Sequence, residues 1–202
     1  MTFMKIKKST QSIAESAKGN LVFGVGVNDA WYQVVMIING KKCLCNTYVL
    51  WKAMLNRCYG ELSLSKQPTY KDCNVCEEWL LYSNFEKWCD LNYVYGYDLD
   101  KDLKIKNNKI YCPENCLFVP RAINNVINVK RKCGIYPVGV TKCGNSYRAK
   151  LSIDSVRVSL GCYSTPEIAY EVYKNSKNKE LDRKSIQYPE FAKYIKQHKI
   201  RD

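Results

Sequence analysis

The sequence predicts an α+β fold: a β-hairpin and helices lead into a ββα unit, and a three-stranded antiparallel sheet packed on one helix follows. Three observations predict it. An Asn39-Gly40 pair closes a run of β-branched and aromatic residues. Trp51, Met54, Leu55 and Cys58 recur at helical spacing. Apolar and polar residues alternate over 147–153 and 156–160, just before Thr165-Pro166-Glu167.

Residues 1–20 are polar, with Ser9, Thr10, Ser12 and Ser16, and are expected to be a flexible N-terminus. Gly24-Val25-Gly26-Val27-Asn28-Asp29 is turn-rich. Asn-Gly is a strong hairpin signal, so residues 31–47 predict two strands around it. The i, i+3, i+4, i+7 spacing from Trp51 to Cys58 predicts a helix beginning after Asn46. A polar loop over 60–70 is expected to end it. A second helix over 77–91 carries Trp79, Leu80, Phe85 and Trp88 as core anchors. Residues 97–103 read as a short extended segment. Residues 110–119 hold Cys112-Pro113-Glu114-Asn115-Cys116 and the apolar run Leu117-Phe118-Val119. Pro120 then permits a helix start near Ala122. The predicted domains are 21–125 and 134–177, joined by a basic linker over 126–133 that contains Lys130-Arg131-Lys132. Residues 178–202 form a basic tail or helix.

Charge narrows the function. The 202-residue chain has 32 Lys and Arg against 19 Asp and Glu, a formal charge of +13. Residues 1–100 contain 11 basic and 10 acidic residues, which leaves 21 and 9 for the second half. A one-sided positive field attracts polyphosphates and speeds encounter with them. No segment reaches the roughly 18 to 20 apolar residues that span a bilayer, so no membrane partner is expected. Val34-Val35-Met36-Ile37-Ile38 is only strand-length. The N-terminus has Lys5, Lys7 and Lys8 but no apolar core behind them, unlike a signal peptide. Eleven cysteines, an odd number without an export signal, point to reduced or metal-bound thiols and an intracellular location.

The C-terminal module has the clearest chemistry. Three strands are predicted near 138–142, 147–153 and 156–161, with a turn at Cys143-Gly144-Asn145. Thr165 as N-cap, Pro166 at N1 and Glu167 in the first turn start a helix expected to run to about Lys177. Period-two alternation puts Tyr147, Ala149, Leu151, Val156, Val158 and Leu160 on the face that helix residues Ile168, Ala169 and Val172 would cover. Arg148, Lys150 and Arg157 fall on the other face, and Lys142 lies in the first strand. These four are the candidate DNA-binding residues. Such a sheet fits the roughly 12 Å major groove of double-stranded DNA.

Gly139-Val140, Tyr147-Arg148-Ala149, Leu160-Gly161-Cys162-Tyr163 and Thr165-Pro166-Glu167 with Ala169-Tyr170 resemble the APETALA2-type DNA-binding domain. The resemblance covers roughly 45 residues. It implies a three-stranded sheet backed by a helix, with DNA on the sheet face.

Residues 46–125 resemble phage-encoded HNH-type (His-Me finger) endonucleases. The matching segments are Trp51-x-x-Met54-x-x-Arg57-Cys58-Tyr59, Pro68-Thr69-Tyr70, Cys76-x-Glu78-Trp79, Phe85-x-x-Trp88, Leu99-Asp100-Lys101-Asp102, Asn108-Lys109 and Pro113-Glu114-Asn115-Cys116-x-Phe118-Val119-Pro120. Many members carry an APETALA2-like domain after this part, in the order seen here. The resemblance implies a metal-dependent DNA endonuclease, acting in the host cytoplasm if phage-encoded. Asp100 and Asp102, two apart on one strand, and Asn115 are the expected oxygen ligands for Mg²⁺ or Mn²⁺. Lys101 stands where the family has its water-activating His. A lysine base needs a strongly depressed pKa, which two flanking carboxylates oppose. The only histidine, His198, lies outside any motif.

Cys73-x-x-Cys76 and Cys112-x3-Cys116 could supply four thiolates to a structural Zn²⁺, or be buried as small apolar side chains. Three functions therefore stay open: a DNA endonuclease, a non-catalytic DNA-binding or regulatory protein, and a protein inhibitor acting through the aromatic N-terminal half.

Overall fold

The computed structural model describes residues 21–128, 135–154 and 156–201. The expectations for residues 1–20 and for most of the basic linker lie outside the described residues. In chain order the strands and helices are β1 (Val35–Ile38), β2 (Lys41–Leu44), α1 (Asn46–Tyr59), α2 (Glu61–Lys66), β3 (Asn74–Val75), α3 (Glu77–Leu80), α4 (Tyr82–Asn92), β4 (Tyr97–Asp100), β5 (Ile110–Tyr111), β6 (Leu117–Pro120), α5 (Arg121–Ile127), β7 (Val140–Cys143), β8 (Ser146–Ile153), β9 (Val156–Tyr163), α6 (Pro166–Gln187) and α7 (Ala192–Lys196). This is the α+β class, with small sheets that include the three-stranded one. Among the described residues no helix is long and apolar enough to cross a membrane.

The chain divides into two units. The first contains residues up to Tyr95 and Asn107–Phe118; the second contains Gly96–Lys106 and residues from Val119 onward. The boundary expected at residue 125 is therefore displaced. Residues 96–106 and the start of α5 group with the C-terminal module, because β4 pairs with β6 and the C-terminus binds the loop after β4.

In the first unit, β1 and β2 pair antiparallel, Val35 with Leu44 and Ile38 with Lys41. Asn39 and Gly40 turn between them at φ of 50° and 73°, as a tight hairpin requires. On α1, Tyr48, Trp51, Met54, Leu55 and Cys58 are buried, the predicted face with one residue added a turn earlier. The 60–70 segment is not a plain loop. Extended Gly60 ends α1, and Glu61, at the favourable positive end of a helix dipole, begins α2. Pro68–Tyr70 then form a 3-10 turn.

The single helix expected over 77–91 is two helices. Leu81 is extended, with φ −86° and ψ 123°. It bridges Val27 in parallel: Val27 N donates to Leu80 O at 2.8 Å, and Tyr82 N donates to Val27 O at 3.0 Å. Asp29 then caps the start of α4, accepting from Ser83 N at 2.8 Å and Ser83 Oγ at 2.6 Å. Of the tryptophans, Trp51 and Trp79 are fully buried as expected, whereas Trp88 is half-buried and Trp31 is exposed. Trp51 Nε1 donates to Trp79 O at 2.7 Å, Trp79 meets Phe85 edge-on at 5.1 Å, and Trp88 stacks on Phe118 at 5.3 Å.

In the second unit, β4 ends at Asp100, so the extended stretch predicted to residue 103 is shorter. Pro120 closes β6 and α5 starts directly after it. Val126 and Ile127, expected in the linker, are buried at the end of α5. β7 and β9 flank β8, both antiparallel to it. Val140, Ala149 and Leu151 pack on Ala169 and Tyr173 of α6. Of the predicted covering residues, Ile168 instead points outward, 46% exposed, because the buried stripe follows Ala169 and Tyr173.

The helix starts as predicted: Thr165 Oγ1 accepts from Ile168 N at 3.3 Å, ahead of Pro166. It does not stop near Lys177 but continues to Gln187. Lys174, Lys177, Glu180 and Lys184 are buried from near its midpoint onward, and with only Leu181 among them the stripe escapes apolar periodicity. The tail folds back on it, with Asn178 and Ile200 exchanging two hydrogen bonds at 2.9 Å.

Candidate nucleic-acid interface

Strand register decides which side chains share a face. Directly opposed residues of antiparallel strands project to the same side. Arg148 is in register with Thr141 on β7 and Cys162 on β9. Lys150 is opposite Ser159, and Ser152 is opposite Arg157. Arg148, Lys150 and Arg157 thus occupy the face away from α6. Lys142 does not join them. It is in register with Tyr147, whose side chain belongs to the helix-covered face, so Lys142 stands at the edge of that side.

A β-bulge between Ala149 and Lys150 breaks simple alternation on β9. Ala149 pairs with Gly161 but Lys150 pairs with Ser159, leaving Leu160 as the extra residue. Leu160 still packs against the core, and the bulge brings Cys162 onto the cationic face.

Arg148 is held across all three strands. Its Nη2 donates to Cys143 Sγ at 2.9 Å and its Nε to Cys162 Sγ at 3.4 Å. The Arg148 hydrogen bond holds the exposed Cys162 thiol below its ordinary pKa, and the same contact raises that of the guanidinium. The face thus presents a fixed guanidinium, one lysine and one more arginine among small hydroxyl side chains.

The predicted acidic site takes a different form. Asp100 ends β4 and Asp102 lies beyond the strand, so the two carboxylates do not share a strand face. Asp100 Oδ1 caps the turn, accepting from Asp102 N at 2.8 Å and Leu103 N at 2.6 Å. Lys101, 6% exposed, donates to both oxygens of Asp102 at 2.8 and 2.9 Å. Asn115 is in the first unit, where its Nδ2 donates to Asn108 Oδ1 at 3.4 Å.

His198 joins the acidic turn, which no local motif signals. Its Nε2 lies 3.3 Å from Leu103 O, and Gln197 Nε2 donates to Lys104 O at 2.9 Å. Burial lowers the imidazole pKa, against the Leu103 carbonyl and the Asp102 charge, which raise it.

Burial raises the Asp100 carboxyl pKa above its ordinary value, despite the two N–H groups that favour the anion. A raised folded value means this group contributes stability below its unfolded pKa of about 3.9. That contribution is lost as pH rises through the folded value. Asp100→Asn therefore stays folded and is at least as stable as wild type at pH 7, since a neutral amide oxygen still accepts both bonds. Asp100→Ala leaves two backbone N–H groups without their acceptor and costs about 1–3 kcal/mol. Urea unfolding of both variants checks this; equal midpoints would remove the capping role.

The four cysteines of the possible zinc site all belong to the first unit. Parallel pairing of β3 with β5 sets Val75 beside Tyr111, and Cys76 N donates to Tyr111 O at 3.0 Å. The two pairs thus approach at one end of that sheet. Cys73, Cys112 and Cys116 are buried, and Cys76 is half-buried. Burial raises the thiol pKa of both Cys76 and Cys112. Among the described residues no group of three or more His, Cys, Asp or Glu is placed to hold a metal ion.

No family model, curated protein or solved structure matches this chain.

Proposed function

We propose that this chain binds double-stranded DNA through the uncovered face of β7–β9. The observation that carries the reading is the placement of Arg148, Lys150 and Arg157 on one sheet face while α6 covers the other. Three strands spaced about 4.8 Å apart make a platform about 10 Å wide, suited to a groove about 12 Å across. Arginine can bridge O6 and N7 of guanine, and lysine neutralises phosphate. The basic excess of the second half supplies long-range attraction. The resemblance to the APETALA2-type domain points the same way.

Fluorescence anisotropy with a random-sequence 30-base-pair duplex tests the reading. Arg148→Ala weakens binding about 10-fold or more if the guanidinium reads a base. Unchanged affinity at low salt would contradict the sheet-face reading.

A second reading adds metal-dependent cleavage of the HNH type to the binding. It is favoured by the juxtaposition of Asp100, Lys101, Asp102 and the chain's only histidine, His198, within the second unit. In this reading Asp100 and Asp102, both in the second unit, hold Mg²⁺ or Mn²⁺. The turn cap on Asp100 and the ammonium on Asp102 compete with such a role. Plasmid nicking with either ion decides it. A nuclease loses nicking in Asp100→Ala and Asp102→Ala, and absence of nicking by wild type leaves a non-catalytic DNA-binding protein.

A further inference from the structure

Beside the sheet, the second unit contains a cleft of about 630 Å³. Its walls are the end of α5, the start of β7, the part of β8 that β7 does not reach, and the second half of α6. Lys150 and Arg157 line it as well as belonging to the cationic sheet face. Lys177 forms part of the α6 wall, only 4% exposed, and its ammonium donates to the Val126 carbonyl.

The carboxylates in this wall are already matched. Glu180 is gripped by Arg183 through two bonds of 2.7 Å. Asp154 accepts from Arg183 and from Lys184, each at 2.6 Å. Among the described residues no carboxylate pairs with Lys150, Arg157 or Lys177. An ammonium has three N–H donors, and a buried cation is costly without an anion to meet it. Desolvation draws the Lys177 pKa down to about 8, against the Glu180 charge. Asn124 of α5 and Asn128 at its end also line it, near the Val126 carbonyl that Lys177 meets, and Asn128 Nδ2 donates to Asn124 Oδ1.

We infer that this cleft takes a phosphate-bearing nucleotide, its phosphate met by the cations Lys177, Lys150 and Arg157 and its remaining polar groups by the amides at the end of α5. The volume is in the usual range of about 300–1,000 Å³ for small-ligand sites. The nucleotide can be free, or part of a DNA strand that passes from the sheet face over Lys150 and Arg157. The inference shares those two residues with the proposed DNA reading, but Lys177 and Asn128 are not on the sheet face.

Calorimetric titration of the full chain with deoxyadenosine 5′-monophosphate tests it, with deoxyadenosine as the phosphate-free control. The monophosphate binds with a Kd of about 1 mM or tighter, and the nucleoside binds at least about 10-fold more weakly. Lys177→Met, which replaces a buried charge with an apolar chain of similar length, folds and loses at least about 10-fold in monophosphate affinity. Asn128→Asp adds a negative charge at an exposed wall position and weakens binding in the same direction, so the result does not hang on one buried substitution. If instead only single-stranded DNA responds to both variants, the strand is the source of the nucleotide. Equal binding of nucleoside and monophosphate, or no response of either probe to either variant, overturns the inference. Loss of the Arg148→Ala effect on duplex binding would sink the sheet-face reading while leaving this result standing.

Discussion

Replacing Arg148, Lys150 and Arg157 together by alanine lowers affinity for duplex DNA at least about 100-fold. The expectation follows from how the face is built. Arg148 is tied to Cys143 and Cys162 and so is ordered before DNA arrives. An ordered guanidinium loses less side-chain freedom on binding than a mobile one. Lys150 and Arg157 extend the cationic surface along β8 and β9. None of the three belongs to the core formed with Ala169 and Tyr173, so their removal leaves that core intact and the circular dichroism melt unchanged. The dependence of log affinity on log salt concentration also falls, by roughly 0.9 for each phosphate contact removed. Loss of affinity with an unchanged salt slope would mean that these cations touch no phosphate.

Gly139→Ala destabilises the chain by about 2–5 kcal/mol and weakens DNA binding with it. Two effects combine at this position. Gly139 has φ of 81°, a left-handed conformation unfavourable to any residue with a Cβ. A Cβ there would also lie 2.2 Å from Cδ2 of Tyr173, a core ring fixed between sheet and helix. The backbone cannot easily withdraw, because Gly139 O accepts from Lys150 N at 2.8 Å and so anchors the start of β7 to β8. Urea unfolding followed by far-ultraviolet circular dichroism measures the cost. A midpoint equal to wild type would mean that Tyr173 moves aside freely.

Short-range chemistry was the most legible part of the sequence. Asn39-Gly40 set the hairpin, the period from Trp51 to Cys58 set α1, and alternation around Arg148 set the two faces of β8. The structure departs from the pattern where distant residues intervene. Leu81 breaks a helical run because Val27, remote in sequence, pairs with its backbone. The helix after Thr165 outruns its apolar period because, Leu181 apart, its second half buries Lys177, Glu180, Lys184 and Ser185 rather than aliphatic residues. The bulge at Leu160 leaves no trace in alternation.

The acidic site shows the same limit. Asp100 and Asp102 read as strand partners by spacing, yet the strand ends between them because Asp100 turns its carboxylate onto the next backbone N–H groups. His198 reaches Leu103 from the far end of the chain. The hydroxyls of Tyr32 and Tyr82, 2.9 Å apart, and Thr47 Oγ1, 2.8 Å from Tyr82, form a buried polar group that three separate segments assemble. No local pattern announces such a group.

The proposed DNA binding depends on where the cations lie on the sheet face rather than on total charge. The most direct measurement compares two charge-matched triple variants in one anisotropy titration on the same duplex. The first replaces Arg148, Lys150 and Arg157 with alanine. The second replaces Lys193, Lys196 and Arg201, exposed residues near the C-terminus. The sheet-face variant is expected to bind at least about 10-fold more weakly than the C-terminal one. Equal losses in the two variants would contradict the sheet-face reading.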